Sequence, residues 1–178
     1  MIDPYDITNY NYSDAELEEF IIFAMAVAGK TASVICVKVD EFLQLEKGKS
    51  PFDKLRKMIR KGTLRSNMEA VKLGKYALLE KGFKQLIEND IQPRTCTLED
   101  LEAINGISHK TSRFFVLHTR KDCGDIACID THIRRWLNEL GHTGNYFDLE
   151  RAFISEAKKR GRTLADLDLE VWKLYARD

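Results

Sequence analysis

The chain has 178 residues, enough for one domain with a proper core, and its 44% hydrophobic and 31% charged content is that of an ordinary globular fold. Its longest apolar run, Phe20 to Ala28, falls far short of the ~20 residues that cross a bilayer, so no membrane partner is expected. The formal net charge is zero, which excludes a uniformly basic surface, and any attraction for a polyanion must come from local clusters.

Residues Met1 to Asn11 carry acids and no basic stretch, so no secretory signal is expected and a cytoplasmic location follows, nucleoid-associated if the source is bacterial or phage. Ser13-Asp14-Ala15-Glu16 is a capping box opening a helix in which Leu17, Phe20, Ile21, Ala24 and Val27 keep a helical period. Its nearly all-apolar second half predicts a central helix buried on several sides. The turn Ala28-Gly29-Lys30-Thr31 leads into a second helix through the β-branched run Val34 to Val39, which has strand propensity but no evident partner strand. Ser50-Pro51-Phe52-Asp53 reads as a cap, a proline at the first helical position and an acid in the first turn. Thr97 with Asp100 and Thr163 with Asp166 repeat that opening. Helices are predicted near 14–28, 31–46, 51–61, 65–89, 98–104, 109–120, 130–140, 147–160 and 164–176, giving an all-α class in a single domain over 1–178.

Charge is unevenly spread. No Lys or Arg precedes Lys30, whereas Lys54, Arg56, Lys57, Arg60, Lys61 and Arg65 crowd together, as do Lys158, Lys159, Arg160 and Arg162. Such clusters are either a phosphate-attracting face or a solvated helix face. Cys36, Cys96, Cys123 and Cys128 are expected to be buried or incidental thiols, because Cys123, Cys128 and His132 match no common zinc spacing and no metal site is expected.

The segment from Thr97 to Leu137 carries the chemistry. A short amphipathic helix with Leu98, Leu101 and Ile104 stops at Asn105-Gly106-Ile107-Ser108, and a second helix starts at once with His109-Lys110-Thr111-Ser112-Arg113. Gly106 supplies the unusual backbone angles of so tight a turn, Ile107 points back to staple the helices, and Ser108 is placed to cap the second one. The backbone N–H groups of the turn and of the helix start form an anion site suited to a phosphate, although an ordinary helical corner reads the same way. After the loop Lys121 to Asp125, an apolar approach, Ile126-Ala127-Cys128-Ile129, delivers Asp130-Thr131-His132 at the head of another helix, where Asp130 is at the least an N-cap.

A hairpin with a lysine just past its turn, followed about twenty residues later by an apolar lead into Asp-Thr-His, resembles the endonuclease III and 8-oxoguanine DNA glycosylase group of the helix-hairpin-helix superfamily. The matching residues are Ile104 to Ser112 and then Ile129 to His132, within a hairpin at 98–120 and an acid segment at 126–137. Asn105 stands where that family usually has proline, and Ser108 replaces its second glycine. The resemblance implies a two-lobed helical bundle with the active site in the interlobe cleft, and a monomer acting on double-stranded DNA that contains a damaged base. It implies Lys110 as a Schiff-base nucleophile and Asp130 as the catalytic carboxylate of a bifunctional glycosylase and AP lyase, with DNA contacts at Gly106, Ile107, Ser108, His109, Thr111, Arg113 and Lys30. The start of a helix and burial in a cleft both disfavour an ammonium, which would activate Lys110. No cysteine follows Cys128, so the iron–sulfur cluster of some relatives is not expected and 8-oxoguanine is favoured over oxidised pyrimidines. Hairpins of this kind hold a monovalent cation on turn carbonyls, here around Glu102, Ile104 and Ile107. A monofunctional glycosylase using Asp130 with water, and a non-catalytic DNA-binding hairpin, are the competing readings.

Overall fold

A computed structural model describes residues 2–123 and 125–175, and all regular structure among them is helical. The ten helices are α1 (Asp14–Val27), α2 (Ala32–Gln44), α3 (Pro51–Lys61), α4 (Leu64–Ala70), α5 (Tyr76–Glu88), α6 (Leu98–Glu102), α7 (His109–Thr119), α8 (Thr131–Glu139), α9 (Tyr146–Arg160) and α10 (Leu164–Tyr175). The expected helix end at Ala176 lies outside the described residues. No helix among those described is long and apolar enough to cross a membrane.

α1 opens with the reciprocal cap read from the sequence: the Glu16 N–H donates to Ser13 Oγ at 3.4 Å and the Ser13 N–H donates to Glu16 Oε2 at 2.7 Å. Every residue from Phe20 to Val27 is buried, and α2, α3, α5 and α7 all pack around this helix. The β-branched run in α2 is helical because Ile35, Cys36, Val39, Phe42 and Leu43 share one inward face, while Val34 and Val37 face outward. α3 starts from Ser50 and Pro51 as expected.

The single helix predicted over 65–89 is two. The chain breaks after α4 at Val71, and Lys72, Gly74 and Lys75 take left-handed angles (φ 54°, 74° and 51°) before α5 begins. The break lets Leu73 enter the core at 1% exposure. It also offers the Leu73 carbonyl to Lys30 Nζ, while Lys75 Nζ reaches back to the Ala28 carbonyl. The turns before α2 and before α5 are thus laced together by two reciprocal lysine–carbonyl bonds.

Buried side chains fall mainly into two clusters. The larger one draws on residues 2–12, α1 to α6 and part of α7; the smaller one is built from Ala127, Ile129 and the inner faces of α8, α9 and α10. α7 touches α1, α6 and α10, so it runs between the two, and a small group of Leu117, Cys128 and Ala165 packs alongside it.

Candidate functional site

The tight turn between α6 and α7 is seated by its surroundings. Gly106 takes φ 91°, and a Cβ there would meet the Leu78 side chain at 3.2 Å. Asn105 donates its N–H to Gln85 Oε1 at 2.7 Å, and its carbonyl lies so near α5 that a Cβ on Gly82 would stand 2.3 Å from the carbonyl oxygen. Ile107 is buried in the larger cluster, as a staple requires. Ser108 sits at the N-cap of α7 in extended backbone, but its hydroxyl makes no cap bond; only its carbonyl is used, by the Ser112 N–H at 3.0 Å. The capping role expected of the Ser108 side chain is therefore not observed. The Ile104 carbonyl accepts the Ile107 N–H at 3.0 Å, which leaves it one lone pair for a cation.

Glu102, at the end of α6, clasps the start of α7. Its carboxylate accepts from Ser112 Oγ (2.7 Å) and Arg113 Nη1 (2.7 Å) and lies 2.6 Å from His109 Nδ1. Burial opposes its charge, yet the bonds from Ser112 and His109 and the Arg113 charge hold the carboxyl below the usual glutamate range.

Arg113 is not the surface phosphate contact expected. It is 8% exposed, with Nε on Glu150 Oε1 at 2.7 Å and Nη1 on Glu102, and its guanidinium lies against the rings of Tyr146 and Phe147. With two carboxylates and two rings around it, the guanidinium ties α6, α7 and α9 together. Glu150 Oε1 also accepts the Ala127 N–H at 2.9 Å, and Tyr146 Oη donates to the Ala127 carbonyl (2.9 Å) while accepting the Ile129 N–H (3.1 Å). The apolar approach to Asp130 is thus an irregular lead with these polar groups pinned by α9, and it turns at its end, where the Asp130 N–H donates to the Cys128 carbonyl at 3.0 Å. Burial pushes the Tyr146 hydroxyl far above the ordinary tyrosine range, so it stays a neutral strut.

That lead ends at Asp130, which caps α8: its Oδ1 accepts the Ile133 N–H at 2.8 Å. Asp130 and Lys110 line the same cavity of about 1120 Å³, which also takes in residues from both core clusters, among them Phe23, Val27 and Ile129. Lys110, in the first turn of α7, is half-buried, and its Nζ lies 5.0 Å from the centre of the Phe114 ring, whose face attracts a cation. Burial raises the Asp130 carboxyl above the ordinary aspartate value and the Asp168 charge adds to that, against the Ile133 N–H bond and the positive neighbours Lys110 and His132. Cys128 lines the cavity as well, but burial drives its thiol well above the ordinary value, so it stays protonated and inert as a nucleophile.

The remaining expected contacts separate into two groups. Ser108 and His109 are exposed at the start of α7, and Lys30 lies half-buried at the cavity, its Nζ on the Leu73 carbonyl; burial and the nearby Lys75 and Lys38 lower its pKa. Thr111 is instead buried in the cavity wall. The second basic cluster is compensated where it lies, Lys158 pairing with Asp125, Lys159 and Arg160 with Glu156, and Arg162 with Glu170; in the first, half are paired, Lys57 with Asp53, Lys61 with Glu46 and Arg65 with Glu69. Among the described residues, no three or more His, Cys, Asp or Glu side chains gather as a metal ion would need.

Sequence reasoning missed three groups at this cavity: Asp168, Trp172 and the segment holding Pro4, Tyr5 and Ile7. Asp168 carried one usable signal, since with Ala165 and Val171 it falls on the buried stripe of α10, where an acid is out of place. No family model matches the chain, and no solved structure matches it.

Proposed function

We propose that this chain is a bifunctional DNA glycosylase and AP lyase of helix-hairpin-helix type, excising an oxidised base, 8-oxoguanine in preference to an oxidised pyrimidine, from double-stranded DNA. The observation that carries the reading is one cavity holding both a half-buried lysine at the start of a helix and a partly buried carboxylate at the start of the next. Two core clusters with that cavity between them suit a two-lobed protein that admits an extruded nucleotide. The exposed start of α7, with Ser108 and His109, suits a backbone phosphate.

In this mechanism Asp130, ionised, takes a proton from the Lys110 ammonium and passes it to the departing base, which restores the carboxylate that faces the positive charge developing on the deoxyribose. The Lys110 amine then bonds to C1′ as the glycosidic bond breaks, and the base leaves with the bonding pair and acquires a proton. Opening of the sugar ring converts the adduct to a Schiff base. Loss of a C2′ proton expels the 3′ phosphate and nicks the strand. Arg113, Glu150 and Tyr146 act on the geometry, because they hold the Asp130 lead against the helix that bears Lys110.

Borohydride trapping tests this directly. On duplexes with a single 8-oxoguanine, thymine glycol or abasic site, wild-type protein is expected to give a covalent adduct that Lys110→Gln abolishes. Equal trapping by Lys110→Gln rules out the nucleophile, and a wild-type protein that binds DNA without trapping anything leaves a non-catalytic clamp. Preference for thymine glycol would reassign the substrate to oxidised pyrimidines.

A further inference from the structure

The turns before α2 and before α5 gather cations that the mechanism above does not use. Lys30 and Lys75 each reach across to the other's turn, with Nζ on the Leu73 and Ala28 carbonyls, and Lys38 Nζ donates to the Lys72 carbonyl at 2.8 Å. Glycines let the lysines lie this close. A Cβ on Gly74 would stand 3.3 Å from Lys30 Nζ, and one on Gly29 would stand 3.8 Å from Lys75 Nζ. None of Lys30, Lys38, Lys72 and Lys75 pairs with an acid among the described residues. Lys72 and Lys75 are exposed, whereas Lys30 is half-buried and lines the large cavity.

An amine crowded by ammonium groups and shielded from water holds its extra proton poorly, and its neutral form carries the lone pair that a nucleophile needs. Burial, with Lys75 and Lys38 close by, lowers the Lys30 pKa in that sense. Lys110 differs, because the Asp130 carboxylate is among its neighbours. The cations that activate Lys30 also attract an anion, and lysine binds phosphate as a compact point charge. The first turn of α2 adds to that attraction. Thr31 makes no side-chain cap bond there, and Thr31, Ala32 and Ser33 line the cavity beside Lys30.

We propose that Lys30 is a second Schiff-base amine of the cavity, one that takes an aldehyde carrying a phosphate, with Lys38, Lys72 and Lys75 holding the phosphate. The Lys30 nitrogen bonds to the aldehyde carbon, the carbonyl oxygen leaves as water with both nitrogen protons, and a C=N bond remains; water reverses the step. On taking a proton from solvent, the imine nitrogen again has an N–H for the Leu73 carbonyl. An aldehyde of this class is either free in solution or the ring-opened sugar of an abasic strand. The site itself needs nothing from the glycosylase reading. Where that reading holds, an adduct at Lys30 fills part of the cavity that Lys110 and Asp130 share, and so it is inhibitory.

Pyridoxal 5′-phosphate is the probe. The full chain is incubated with it, reduced with borohydride, digested and mapped by mass spectrometry. Label at Lys30 is expected to exceed the mean of the other lysines by about 10-fold, and to fall by about 10-fold when pyridoxal, which lacks the phosphate, is used instead, the worth of one charge-assisted contact. Lys38→Gln combined with Lys72→Gln is expected to lower it in the same direction. Label spread evenly over the lysines, label at Lys110 in place of Lys30, or equal labelling by the two aldehydes overturns the assignment. Trapping on an abasic duplex separates the two sources. An adduct that maps to Lys110 alone, the expected result, leaves the free aldehyde as the ligand of Lys30, and one that maps to Lys30 as well assigns the strand-borne sugar to it. A protein labelled at Lys30 yet inert on every lesion-bearing duplex keeps this site and loses the glycosylase reading.

Discussion

At Asp130 a helix cap and a buried charge coincide, and the two have opposite effects on stability. The cap bond to the Ile133 N–H needs only an oxygen, whereas ionisation is disfavoured by burial and by Asp168. A carboxyl whose pKa rises on folding costs the native state stability at every pH where the unfolded acid is ionised, and the cost fades as pH falls below about 3.9, the ordinary aspartate value. Asp130→Asn keeps the cap and removes the charge. It is expected to slow base excision sharply yet raise the thermal midpoint at pH 7, by about 2–4 °C for each kcal/mol released, with the gain vanishing near pH 3. Thermal unfolding of both proteins at the two pH values checks this, and a lower midpoint at pH 7 would contradict it. That Lys110 and Asp130 each stand at the start of a helix was legible in the sequence, because helix starts carry local signatures. The burial of Arg113 and Asp168 was not, because a charged residue can be buried only where partners exist, and theirs come from Glu150 in α9 and from His118 and Thr8.

Helix boundaries were readable where a cap or a proline marks them, as at Ser13, Ser50 and Thr97. They were lost where tertiary packing overrides periodicity. Gly74 lies inside the stretch predicted as one helix, and the burial of Leu73 and its bond from Lys30 hold the break between α4 and α5 in place. Packing also decides Gly82, in the middle of α5. An alanine there would place Cβ 2.3 Å from the Asn105 carbonyl oxygen and 2.4 Å from Met25 Cε. Met25 can turn away, but the carbonyl belongs to the α6–α7 turn and cannot yield without moving it. Gly82→Ala is expected to cost about 1–3 kcal/mol, seen as a lower urea midpoint, despite the better helix propensity of alanine. An unchanged or higher midpoint would show that the turn is not seated on α5.

For the molecule as a whole, neutrality conceals a division of labour among cations. Those at the end of α9 are taken up by nearby acids, as are Lys57 and Lys61 in α3, while Arg134 is exposed at the cavity beside Asp130. Duplex binding is expected to weaken with salt, the log–log slope steepening by about 0.9 per phosphate neutralised. Arg134→Ala should flatten that slope by about 1, and Lys57→Ala should leave it unchanged. Titrations of a lesion-bearing duplex at several salt concentrations measure both, and equal slopes for all three proteins would place the contact face elsewhere. The helical class was legible from punctuation alone; the cavity was not, since its walls come from residues as far apart as Pro4 and Tyr175. That distance matters during synthesis. Tyr5 closes against Trp172, and Thr8 steadies the histidine that holds Asp168. A growing chain therefore carries Lys110 and Asp130 well before α10 emerges to wall them in, and a product stopped short of α10 would bear both side chains without that enclosure.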